Sequence, residues 1–134
     1  MEKIYSKKEP QKILHIIKKK RDIIGPRQDL CEDHQFLQVA LLKMESGKKI
    51  KSHKHLETYK IIERTQECLV VINGKIKAIY YDTDEKILTE KILEEGDCSI
   101  TFQGGHSYEV LGDAIAYEIK TGPYQGQEKD LIYF

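Results

Sequence analysis

Three observations predict that this chain is a single all-β domain, a sandwich or barrel. From Phe36 onward, short runs rich in β-branched and aromatic residues alternate with Gly, Asn, Asp or charged turns about every 8 to 12 residues. No long stretch carries the 3.6-residue apolar period of an amphipathic helix. The 134 residues, 40% hydrophobic and 33% charged, are enough for one apolar core and too few for two.

Taken in order, residues 1–35 read as an N-terminal strand or edge segment and residues 36–134 as the β-barrel proper. In the first part Lys7, Lys8, Lys12, Lys18, Lys19, Lys20 and Arg21 surround the apolar pairs Ile13-Leu14 and Ile16-Ile17, as on a strand with a solvated lysine face. Gly25-Pro26 marks a turn. The strands that follow are FLQVALLKM, KIKSHKH, ECLVVI, GKIKAIYY, ILTEKIL, DCSITF, HSYEVL and AIAYEIK. Asn73-Gly74 is the strongest hairpin signal among their connections. In GKIKAIYY, Lys75 and Lys77 alternate with Ile76 and Ala78, which gives the strand one wet face. The ending TGPYQGQEKDLIYF closes on Tyr133 and Phe134, apolar residues expected to pack on the barrel or on a twin subunit.

Charge and composition narrow the partners. Lys plus Arg and Asp plus Glu are 22 each, so the chain lacks the basic excess of a nucleic-acid binder. No apolar run reaches the ~18 residues of a membrane span, and the first residues have no signal-peptide pattern, so a cytoplasmic location without membrane contact is expected. Cys31, Cys68 and Cys98 are widely spaced, with no CxxC pair, and are expected to be unpaired; Cys68 and Cys98 read as small buried hydrophobes.

The residues that carry chemistry begin with His53 and His55. On a strand, positions i and i+2 project from one face, so both imidazoles could reach one point, as metal ligands do; two surface histidines in a lysine-rich strand would show the same spacing. Gly47 precedes His53, Glu67 is followed after six residues by Gly74, and Gly96 is followed by Phe102, Gly104 and His106. This succession resembles the two motifs of the cupin superfamily, Gly-x5-His-x-His with a downstream Glu-x6-Gly, then Gly-x5-Pro-x-Gly-x2-His. The chain departs from them in four places. Eleven residues separate His55 from Glu67, Phe102 replaces the proline, the second motif is one residue shorter, and Val110 replaces its final asparagine. The runs ERTQECLVVINGK, GDCSITFQGGHSYEVL and YEIKTGPYQGQEKD are similar to a subgroup of small bacterial cupins found near surface-polysaccharide genes.

The resemblance implies a cupin-type jelly-roll β-barrel with His53, His55, Glu67 and His106 as metal ligands. Three imidazoles and a carboxylate suit a divalent transition metal ion such as Fe, Mn, Ni, Zn or Co. It also implies a homodimer and a small-molecule ligand or substrate linked to carbohydrate or polysaccharide biosynthesis. Tyr108 would share the inward face with His106, as a proton donor or as a barrel-filling tyrosine. Glu118, in an otherwise apolar strand, is either paired at the barrel mouth or a functional base. Glu57 and Tyr59 fall in the long insertion, as loop structure or as part of a lid.

Three functions follow. The first is a metal-assisted isomerase or epimerase acting on a small polar substrate such as a sugar or sugar nucleotide, with Tyr108 or Glu118 carrying a proton. The second is an Fe(II) dioxygenase, and the third a non-catalytic small-ligand binding module. Lys48, Lys49, Lys51 and Lys54 would attract the phosphates of a nucleotide sugar, or simply form a solvated face.

Overall fold

A computed structural model describes residues 1–134. Its strands are β1 (Glu2–Tyr5), β2 (Ile13–Lys18), β3 (Arg27–Asp29), β4 (Ala40–Leu42), β5 (Glu67–Asn73), β6 (Lys75–Tyr81), β7 (Ile87–Glu94), β8 (Cys98–Thr101), β9 (His106–Val110) and β10 (Ile115–Lys120). A 3-10 turn at Lys20–Asp22 and one helical turn, α1 (Gln127–Asp130), complete the chain. Every strand pairing is antiparallel. The result is a five-stranded sheet in the order β1-β2-β8-β5-β10, a three-stranded sheet β7-β6-β9 and a ribbon β3-β4. The fold is therefore all-β in one domain, and neither sheet order closes on itself. No helix is long and apolar enough to cross a membrane.

Two apolar clusters explain the burial. The first lies between the sheets, where Ile4, Ile17, Leu69 and Val71 meet Ile76, Ala78, Tyr80 and Leu93. The second covers the outer face of the large sheet, where Leu30 and Cys31, with Leu37 and Val39 at the margin, cap Ile16, Cys68, Cys98, Ile100 and Phe102. All three cysteines are buried and free.

Because β2 lies between these clusters, Leu14 to Lys18 are buried without alternation, as in a strand covered on both faces. The expected solvated lysine face holds for Lys7, Lys8, Lys20 and Arg21, which are exposed, and is corrected at Lys18, which is buried and whose ammonium donates to the Asp22 carbonyl. The N-terminal segment also supplies an interior strand of the main sheet, with only β1 at the edge.

The Asn73-Gly74 hairpin is not formed. Strand β5 pairs with β8 and β10, while β6 pairs with β7 and β9, so Gly74 carries the chain from one sheet to the other. Its φ is +85°, and a Cβ there would lie 2.3 Å from the Asp113 carbonyl oxygen. A left-handed glycine serves any sharp corner, so the dipeptide signals a corner without fixing which strands pair.

The strand expected at KIKSHKH is absent as well. There is no strand or helix between Leu42 and Glu67, and every residue from Leu42 to Thr65 is exposed. FLQVALLKM contributes only the three residues of β4, with Leu37 and Val39 packing as loop side chains against the second cluster.

Candidate functional site

The strand ends bring four polar side chains together at one opening between the sheets. Glu67 begins β5 and Lys120 ends β10, and the two are opposite each other in register. His106 begins β9, and Tyr108 follows two residues later on the facing sheet. Across the gap, His106 Nε2 lies 3.2 Å from Glu67 Oε1, Lys120 Nζ lies 3.4 Å from Glu67 Oε2, and the Tyr108 hydroxyl donates to Glu67 Oε1 at 3.5 Å. Lys120 also reaches Glu118 Oε1 at 3.5 Å, since positions 118 and 120 share a strand face. The His106 and Tyr108 rings are 5.2 Å apart. These residues line a cleft of about 680 Å³ whose other wall is formed by Tyr81 and Leu131–Phe134.

The electrostatics follow from these contacts. Burial opposes ionisation of Glu67, but the hydrogen bond from His106, with the Lys120 ammonium, outweighs it and holds the carboxyl below its usual range. Burial, reinforced by the Glu67 charge, pushes the Tyr108 hydroxyl up, so it stays protonated and serves as a hydrogen-bond donor. Burial works against the charge on Lys120, yet Glu67 and Glu118 together raise its pKa.

The turn leading to His106 has its own physical requirements. Gly104 has φ +83°, and a Cβ there would lie 2.5 Å from the Tyr81 carbonyl oxygen. That carbonyl also accepts from His15 Nε2 at 3.1 Å, while His15 Nδ1 lies 3.1 Å from Thr101 Oγ1. A carbonyl only accepts, so Nε2 carries the proton and Nδ1 accepts the threonine hydroxyl. Burial lowers the His15 pKa to about 4, and this neutral imidazole braces the floor behind the cleft. Asp82, held by Ser6 Oγ at 2.7 Å and the Lys7 amide at 2.6 Å, ties the N-terminal strand to the same corner.

Of the four expected metal ligands, Glu67 and His106 are brought together and His53 and His55 are not part of that contact. The latter two sit on the exposed segment before β5, rings 5.5 Å apart, with His53 Nδ1 2.9 Å from the Lys51 carbonyl oxygen. No three His, Cys, Asp or Glu side chains are grouped to hold an ion. In addition, the Lys120 ammonium occupies the flank of Glu67 where a metal ion would compete with it. In this arrangement the expected ligands form two separate pairs, Glu67 with His106 and His53 with His55.

Tyr108 and Glu118 both face the cleft, and Glu118 is paired with Lys120 at its rim. Sequence reasoning missed Lys120. The available signal was the Glu118-x-Lys120 spacing, which puts both on one strand face. Comparison with protein-family models, with curated proteins and with solved structures found no match.

Proposed function

We propose that this chain is a cupin-like barrel protein whose cleft carries out acid–base chemistry on a small polar molecule, a sugar in preference to a sugar nucleotide. The observation that carries the reading is the Glu67–His106 pair, flanked by Lys120 and Tyr108 in one cleft. Glu67 fixes one ring nitrogen of His106 and stabilises the imidazolium that forms when the other takes a proton from carbon. The Tyr108 hydroxyl, kept protonated, can donate a hydrogen bond to an oxygen of the bound molecule, and Lys120 offsets negative charge that develops there. An isomerase or epimerase needs these roles and no further co-reactant.

The charge lining supports the sugar over the nucleotide. Glu67, Asp82, Glu85, Glu118 and Asp130 border the cleft against Lys120 and His106, and Lys120 is already shared by two carboxylates. Lys48, Lys49, Lys51 and Lys54 are not among the lining residues. Carboxylates that accept hydrogen bonds, facing aromatic side chains, suit hydroxyl donors better than phosphate.

The test is incorporation of solvent deuterium at carbon in a panel of aldoses and ketoses, followed by NMR. Exchange that is lost in His106→Gln supports the reading. Binding without exchange, seen as a thermal shift, moves the chain to the receptor class.

A metal site is a second reading, favoured by the adjacent His53 and His55 rings on the segment that runs directly into Glu67. Elemental analysis of the purified protein decides it, and iron in the product would bring the dioxygenase reading forward. We also propose a homodimer through β10, an edge strand whose outward Ile115, Tyr117 and Ile119 are exposed, with sedimentation as the check.

A further inference from the structure

The cleft wall formed by Leu131–Phe134 is apolar, exposed and held by three contacts. Behind it, Asp130 accepts from the Thr65 hydroxyl, and Gln127 donates to the Tyr133 hydroxyl. At its end the Phe134 ring stands edge-on to Tyr81, with centroids 5.1 Å apart and planes at 87°.

The seat of that ring is Gly105. A Cβ built at this position would lie 2.5 Å from Phe134 Cζ and 3.0 Å from Cε1, and 3.3 Å from Tyr81 Cβ. Unlike Gly104, Gly105 has no positive φ, so its backbone would accept alanine. What its missing side chain makes room for is the phenylalanine ring. The next residue in the chain is His106.

We infer that Leu131–Phe134 is a strap, seated through Phe134 on Gly105, that determines which molecules reach His106. The strap is weakly held. Phe134 remains 63% exposed and Ile132 88%, so little apolar surface is removed from water by seating it. One methyl group at Gly105 therefore suffices to turn the Phe134 ring out of its seat, because the colliding atoms belong to the far end of a rotatable side chain, and the strap loses its anchor at that end. The strap also gives the cleft two unlike walls, with Glu67, Glu118 and Lys120 on one side and Tyr81 and Phe134 on the other. A ligand lying between them needs a hydroxylated edge and an apolar face, as a pyranose ring has. This assignment of the ligand rests on the acid–base reading above; the strap itself does not.

The experiment measures carbethoxylation of each histidine by diethyl pyrocarbonate, resolved by peptide mass spectrometry, in the wild type, Gly105→Ala and Phe134→Ala. The exposed His34 and His53 serve as internal references. We expect His106 to react severalfold faster in both variants, with the reference rates unchanged. An unchanged or slower His106 rate in either variant overturns the strap. Phe134 is largely exposed, so Phe134→Ala keeps its fold and the test stands even if Gly105→Ala does not. The readout needs no ligand. A working strap without deuterium exchange in sugars would leave this inference standing while the enzyme reading fails.

Discussion

Glu67 and His106 belong to strands whose backbones are held by neighbours, while His53 and His55 belong to a stretch with no such partners. Lys120 and Thr101 flank Glu67 in register, and Tyr80 faces His106. From Leu42 to Thr65, by contrast, every residue is exposed and no ladder forms. The four residues have the same chemical types and the motif order of one site, yet only the laddered pair makes contact. Order along a sequence places side chains together only where the intervening backbone is fixed by hydrogen bonds and packing.

The sharpest way to break the laddered region is at its corner. Gly74→Ala places a Cβ against the Asp113 carbonyl in a left-handed conformation, so a loss of about 3 kcal/mol or more is expected in urea melts. Acid should come next. His15 is neutral in the fold with its pKa lowered to about 4, whereas the unfolded chain protonates near the ordinary value, so stability falls as pH drops through that interval. The wild type should lose about 2–3 kcal/mol between pH 7 and pH 4.5 from this group, and His15→Gln should lose correspondingly less.

Glu67→Gln tests the site itself. It removes the carboxylate that pairs with Lys120 and His106, for an expected loss of about 1–2 kcal/mol at neutral pH. Because the Glu67 carboxyl is held below its usual range, its stabilisation is present above that range and is lost as pH falls from there through the lower folded value. The gap between wild type and variant, measured by thermal melts, should therefore narrow in acid. The smallest effect is expected on the unladdered side. His53→Ala and His55→Ala should change stability by less than about 0.5 kcal/mol, because neither side chain is buried. A drop in bound metal in these variants would show that the segment holds an ion; the same drop in Glu67→Gln would show that it closes over Glu67 and His106, and the contrast between the regions would then apply to the metal-free state alone.

Much of the large-scale pattern could be read from the residues. Alternation in GKIKAIYY and the Gly-bounded runs ahead of β7 to β10 correspond to strands, and the i, i+2 spacing of His106 and Tyr108 places both on the cleft. Pairing was less legible. Whether Asn73-Gly74 closes a hairpin depends on which partners β5 and β6 find far along the chain, and no local signal reports that. Lys120 was missed for the same reason: its meeting with Glu67 spans more than fifty residues of sequence. KIKSHKH misled because alternating lysines and histidines satisfy a strand pattern without any apolar face to bury.

The strand order has a consequence for how the molecule is made. Strand β2 bonds to β1 early, but its other neighbour is β8, and His15 waits for Thr101. Strand β5 likewise waits for β8 and for β10. A chain emerging from the ribosome therefore exposes ILHIIK, apolar on both faces, until most of its length has been synthesised. Such long-range closure is slow, and an uncovered strand edge is prone to intermolecular pairing. Soluble yield should depend on how fast the chain is produced, and slower expression at lower temperature should raise it.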